Sequence, residues 1–322
     1  MPLRDDVQAM MRDIAAWQQA NAVPPRAEQT VADMRSIYSR QAELRETDAV
    51  PTVAEERDAT AETRAGHRRV RVFTPDAPGP LPVVVYVHGG GYVIGGIDET
   101  AAEARRLAAG IPAQVVSISY RLAPEHPWPA AIEDVEDQIS DIAAGYVDGV
   151  PRGPLAVAGT SAGAGLAVAA TLRLIERKRC PVALLALMSP CLDLTLSSPS
   201  VDLYGTGYQL ERASMERFAE LYVPAGMDRA HPDLSPARHP VPDRFPPTIL
   251  FAAECDPLAD DAALFARRLA EAGIRYRLRH VQGVTHGFNN WFGRLPSTAA
   301  DLDLLHKAIA EEAARFTGPE VG

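Results

Sequence analysis

Only three cysteines occur in the 322 residues: Cys180, Cys191 and Cys255. A small, odd number excludes a disulfide framework and fits reduced thiols, so a cytoplasmic setting is expected. No apolar run approaches the roughly 18–20 residues of a membrane-crossing helix. Residues 1–6 lack a basic stretch leading into an apolar core, so no secretory signal peptide is expected. Basic residues are outnumbered by acidic ones, 32 against 42, for a net charge of −10. That excludes a polybasic groove for nucleic acid and a polybasic contact with membranes. Missing as well are a P-loop, an H-E-x-x-H sequence and any Cys/His cluster with zinc spacing. Gly163-Ala164-Gly165 begins like a dinucleotide fingerprint. The third glycine is absent, however, and about 20 residues further on stands Cys180 among basic neighbours, not a ribose-binding acid. No cofactor and no metal are therefore expected. There is no internal repeat and no low-complexity tract.

The residues that are present, 47% apolar and 23% charged, have the balance of a soluble globular enzyme. The length suits one large catalytic domain with an accessory region, or two domains. Leu3, Val7, Met10, Met11, Ile14 and Trp17 recur at helical spacing over residues 3–20, until Pro24-Pro25 stops the pattern. A second helical stretch covers 28–44. Strands are then expected at 55–63, 67–73, 81–87, 114–119, 155–158, 182–188, 248–253 and 275–281. Helices are expected at 98–109, 128–146, 164–174, 258–272 and 297–316. Such alternation implies an α/β fold: a mostly parallel sheet covered by helices on both faces. Residues 190–235 break the rhythm with several prolines and glycines and a single helical patch near 213–222. The expected organisation is a core of 46–189 and 236–322, with residues 1–45 and 190–235 as a cap. Met10, Met11, Trp17 and the 190–235 segment are expected to set the depth of a pocket.

The chemistry is concentrated in short segments. Gly159-Thr160-Ser161-Ala162-Gly163 lies between an apolar strand pattern and a small-residue helical one. A strand, sharp turn and helix there would thrust the Ser161 hydroxyl out of the sheet edge, with helix N–H groups aimed at the reacting centre. His88-Gly89-Gly90-Gly91 follows the buried run at 81–87. Consecutive glycines let backbone N–H groups approach a ligand closely, the requirement of an oxyanion hole. Gly90, Gly91 and Ala162 are its candidate donors. A serine needs a base, and the base an orienting acid. Asp256 stands just past the strand at 248–253, with Glu254, Asp260 and Asp261 as rivals; the last two fall in a helix first turn, where the helix dipole gives them other work. His286 follows the strand at 275–281. His280 and His306 lie within strand and helix patterns, and His231 and His239 in a proline-rich stretch. His88 precedes Ser161 and is expected to hold the loop backbone.

Five segments together resemble the bacterial hormone-sensitive-lipase-like esterases: His88-Gly-Gly-Gly, the stretch from Tyr120 to Ala131, Gly159-Thr-Ser-Ala-Gly, Asp256-Pro-Leu and His286-Gly-Phe. The resemblance runs over about residues 65–317. It implies an eight-stranded α/β-hydrolase core with a helical cap and a Ser161–Asp256–His286 triad. It also implies cofactor-free hydrolysis of short-chain, small-molecule carboxylic esters, and a homodimer. One departure is Thr160, where most members of the family have aspartate. Two rivals stand beside the esterase: a related acyl hydrolase of amides, lactones or thioesters, which the same triad would serve, and a non-catalytic receptor on the same fold, disfavoured because nucleophile, base and acid are all present.

Overall fold

A computed structural model describes residues 2–25, 28–45 and 50–317. Eight strands form one sheet: β1 Glu55–Thr63, β2 Gly66–Thr74, β3 Val83–Val87, β4 Gln114–Ile118, β5 Leu155–Thr160, β6 Val182–Met188, β7 Thr248–Cys255 and β8 Tyr276–Thr285. Their spatial order is β1-β2-β4-β3-β5-β6-β7-β8. β1 and β2 form a hairpin, and β2 also runs antiparallel to β4; every other pairing is parallel. The expected α/β architecture is thus present, with eight strands.

Parallel strands must be joined by crossovers, which lay helices on both sheet faces and bury the strands completely. All five residues of β3 and all six of β5 are buried. Because side chains alternate across a strand, the two faces feed separate cores. Val83, Val85 and Val87 point into one, with α4 (Ala130–Ala143), α5 (Ala162–Glu176) and α8 (Ala259–Glu271). Val84 and Tyr86 point into the other, with α3 (Ala101–Gly110) and α9 (Ala299–Thr317).

Ahead of the sheet lie α1 (Asp5–Ala20) and α2 (Val31–Arg45), and between β6 and β7 lie α6 (Pro199–Tyr204) and α7 (Arg212–Tyr222). Helix α6 is too short to leave a periodic signature. α1 buries Val7 and Met10 in the second core, and the Arg4 N–H donates to the Gly283 carbonyl at 2.9 Å. Met11 packs against the same core, and Trp17 lies under the Arg40 guanidinium. None of Met10, Met11 and Trp17 lines the cavity described below. That expectation fails because helical periodicity identifies an apolar face without saying which of two cores it meets. The N-terminal side chains at the cavity come mainly from α2: Met34, Ile37, Tyr38 and Gln41, with Gln18 of α1 and Gln29 between the helices. Arg35 binds α2 to the body of the protein, reaching the carbonyls of Val93 and Ala123 at 3.0 Å and Glu125 at 2.6 and 2.7 Å.

Candidate active site

Ser161 occupies the turn between β5 and α5 with φ 55° and ψ −121°, a conformation that a residue with a Cβ rarely adopts. The flanking glycines make the turn sterically feasible. A Cβ at Gly163 would lie 2.2 Å from the Val87 carbonyl oxygen, and one at Gly159 would lie 2.7 Å from the Gly163 carbonyl oxygen. Backbone bonds clamp the turn from both sides. Ser161 N–H donates to the Met188 carbonyl at 2.9 Å, and the Ser161 carbonyl accepts from Cys191 N–H at 3.1 Å.

β8 continues four residues beyond the expected end, to Thr285, so His286 stands immediately after the strand. Its Nε2 accepts from Ser161 Oγ at 3.0 Å, and its Nδ1 donates to Asp256 Oδ2 at 2.8 Å. Asp256 is fully buried just past β7, and its other oxygen accepts from Leu258 N–H at 2.9 Å. With Nδ1 committed to a carboxylate, the basic Nε2 lone pair is held toward the hydroxyl.

The rival carboxylates are engaged elsewhere. Glu254 accepts from Gly283 N–H at 2.8 Å, and Asp260 from Ser200 N–H at 2.8 Å. Asp261 sits in the first turn of α8 as expected, and there, buried, it also accepts from Leu192 and Asp193 N–H at 2.8 and 3.0 Å. It therefore anchors the start of the 190–235 segment to α8.

The glycine loop lies beside Ser161, with Gly90 at φ 122° and Gly91 at φ 58°. A Cβ at Gly89 would come within 3.0 Å of the Thr160 carbonyl, so the loop and the nucleophile turn touch backbone to backbone. Beneath the loop, His88 Nδ1 donates to the Gly89 carbonyl at 2.7 Å, and Tyr120 OH donates to the His88 carbonyl at 3.0 Å. The His88 and Tyr120 rings stack at 4.3 Å, and burial pushes the imidazole down to about 4, keeping it neutral. His88 is thus a loop prop, as expected from its position. Among the described residues, the N–H groups of Gly90, Gly91 and Ala162 have no protein acceptor.

Above these groups opens a cavity of about 520 Å³. Ser161, His286 and the glycine loop lie on its surface, α2 forms one wall, and Leu194, Leu196, Leu210 and Phe218 form another. A serine on a strained turn after the fifth strand of this sheet, hydrogen-bonded to a histidine and through it to an aspartate that follow later strands, is the pattern of one fold family.

The profile of the family described as alpha/beta hydrolase fold matches residues 84–290. The chain belongs to the α/β-hydrolase family. Its relatives place it in the hormone-sensitive-lipase-like branch that the motifs resemble. Among them is an ethyl acetate hydrolase of Pseudomonas putida, 32% identical over 300 residues that make up 89% of this chain and 92% of that one. The carboxylesterase NlhH of Mycobacterium tuberculosis is 35% identical over 237 residues, 71% of this chain and 74% of that one. Among solved structures, a hyperthermophilic esterase from the archaeon Pyrobaculum calidifontis superposes with a TM-score of 0.88 at 31% identity, covering 97% of this chain and 99% of that one.

Within this α/β-hydrolase some site neighbours carry no sequence signal. Glu103 of α3 is buried behind Ser161 and accepts from Thr160 Oγ1 at 2.8 Å, though the two are 57 residues apart. In the sequence it reads only as part of the acidic start of a helix. Phe218, which packs against Gly91, reads as an ordinary apolar position. No group of His, Cys, Asp and Glu among the described residues has metal-binding geometry, and no described helix is long and apolar enough to cross a membrane.

Proposed function

We propose that this α/β-hydrolase is a serine carboxylesterase acting on short- to medium-chain acyl esters. The carrying observation is the hydrogen-bonded series Ser161 Oγ, His286 and Asp256 at the floor of a largely apolar cavity. In the proposed reaction, Ser161 Oγ attacks the ester carbonyl while His286 Nε2 takes its proton. Asp256 keeps the imidazole in the productive tautomer and stabilises the imidazolium. The N–H groups of Gly90, Gly91 and Ala162 stabilise the oxyanion, each donor being worth about 3–4 kcal/mol in such sites. His286 then protonates the leaving alcohol. Water, deprotonated by the same imidazole, releases the acid from Ser161.

Residues 1–45 and 190–235 are proposed as the cap that excludes water and selects the acyl chain. Side chains of both segments on the cavity wall support this. A cytoplasmic location is proposed from the three free thiols, and a homodimer from the family resemblance; sedimentation of the purified protein tests the latter.

The test of the activity is a rate series over p-nitrophenyl esters from acetate to dodecanoate, with one matching p-nitroanilide. The reading predicts kcat/KM peaking at a short or medium chain and a much slower anilide. Absence of ester turnover, or preference for the anilide, overturns it.

A further inference from the structure

Behind the nucleophile lies a mostly buried polar cluster with no part in the steps above, of which only Thr160 and Asn290 reach the cavity wall. Glu103 Oε1 accepts from Thr160 Oγ1 at 2.8 Å and from Asn289 Nδ2. Asn289 Nδ2 also reaches Thr160 Oγ1 at 3.2 Å, and the Tyr86 hydroxyl stands 3.4 Å from that atom. With its amide turned to put nitrogen inward, Asn290 donates to the same carboxyl group. Thr160 immediately precedes Ser161, and Asn289 and Asn290 follow His286 by three and four residues. Four chain segments that are remote in sequence therefore meet at one carboxyl: β3, α3, the nucleophile turn and the base loop.

Buried carboxyls are expensive unless hydrogen-bonded, and a cluster of this kind persists where it fixes a geometry. Burial pushes the Glu103 carboxyl above its ordinary range, while its bonds with Tyr86, Thr160 and Asn289 and the nearby Arg45 guanidinium oppose that. The Asn289–Thr160 contact also links the Ser161 turn to the 3-10 turn Phe288–Trp291 that follows His286, and Glu103 Oε1 accepts from both of its members.

We propose that Glu103 is a positioning residue: its carboxyl fastens the Ser161 turn to the His286 loop and so sets the spacing of hydroxyl and imidazole. This rests on the assignment of Ser161 and His286 as nucleophile and base. Misplacement by about 1 Å in such a site costs on the order of 10²-fold in rate. Glu103 itself does not line the cavity, so the effect of changing it belongs in kcat and not in KM.

The experiment compares parent, E103L, E103Q, T160V and the E103L/T160V double variant on p-nitrophenyl butyrate. Active sites are counted by the burst from a p-nitrophenyl phosphonate. Leucine fills the space without leaving a buried charge, so the fold is retained. Expected is one titratable serine per chain in every variant, KM within about twofold of the parent, and kcat per titrated site at least about tenfold lower in E103L. E103Q, which keeps one carbonyl oxygen for Thr160 and Asn289, recovers to within about threefold. The double variant is no slower than E103L, because both changes break one connection. The proposal is overturned if kcat per titrated site in E103L stays within twofold of the parent. It is also overturned if the loss lies wholly in the number of titratable sites, if E103Q is as slow as E103L, or if the two single losses multiply. Absence of a titratable serine in the parent instead sinks the esterase reading itself.

Discussion

The Phe218 ring lies directly on Gly91: a Cβ built at Gly91 would be 2.4 Å from Phe218 Cδ2. Helix α7 thereby touches the glycine loop proposed to bind the oxyanion. G91A forces that ring or the loop to move, in a backbone with φ 58°. Loss of one oxyanion donor costs about 10²–10³ in kcat, and a fall of that size is expected in initial rates on p-nitrophenyl butyrate. F218A added to G91A restores part of it, because the collision partner is gone. No recovery in the double variant separates Phe218 from the loop.

Asp256, the proposed acid of the triad, is separable from its neighbours. D256N leaves Nδ1 facing an amide and favours the wrong tautomer, with an expected fall of about 10⁴ in kcat. E254Q weakens only the bond to Gly283 N–H, so its kcat stays within a few-fold. D261N loosens the attachment of residues 192 and 193. It lowers stability by about 1–3 kcal/mol in a urea melt, with a far smaller effect on rate than D256N.

Two buried imidazoles make the fold acid-sensitive. Burial pushes His88 and His306 down to about 4 from an ordinary 6.5. The unfolded chain takes up these protons near pH 6.5, the folded chain only near 4. Stability from each histidine is thus complete above about pH 6.5 and is lost as pH falls toward 4, on the order of 3 kcal/mol apiece. His306 packs against Gly110 and lies outside the lining of the cavity that holds Ser161. H306L is therefore expected to lose less Tm than the parent between pH 7.5 and 4.5, with unchanged kcat at pH 7.5. Equal losses contradict the assignment.

Arg35 fixes the position of α2 on the cavity. R35A removes two bonds to backbone carbonyls and the fork to Glu125. Exposed ion pairs contribute only about 0–1 kcal/mol, so the expected change in Tm is modest. KM for hexanoate and longer esters rises several-fold as the α2 wall loosens, while kcat on acetate holds within about threefold. Unchanged chain-length preference argues against a cap role for α2.

Glycines and strand runs carried much of the fold and site legibly. The buried runs at β3 and β5 follow from burial on both faces. Gly90, Gly91, Gly159 and Gly163 stand where a Cβ meets backbone within 2.9 Å or φ is positive, which only glycine tolerates cheaply. The order serine, acid, histidine picked out Ser161, Asp256 and His286, which the fold brings into hydrogen-bond contact. Long-range polar contacts were not legible. A glutamate in a helix first turn looks the same whether it meets solvent or, like Glu103, a buried threonine on another strand. Asp261 likewise reads only as a dipole partner until Leu192 is folded against it. The period of α1 gave an apolar face, but only the packing shows Met10 and Met11 meeting the core beneath β8 and α9 instead of the cavity.

The central claim, that the Ser161 hydroxyl is the nucleophile, is tested most directly by hydrolysis of p-nitrophenyl butyrate by S161A. The variant must retain the parent's circular dichroism and melting. Removing such a serine costs on the order of 10⁶ in kcat, so turnover is predicted to fall to near the uncatalysed rate. A folded S161A protein that keeps its rate within tenfold of the parent would contradict the account.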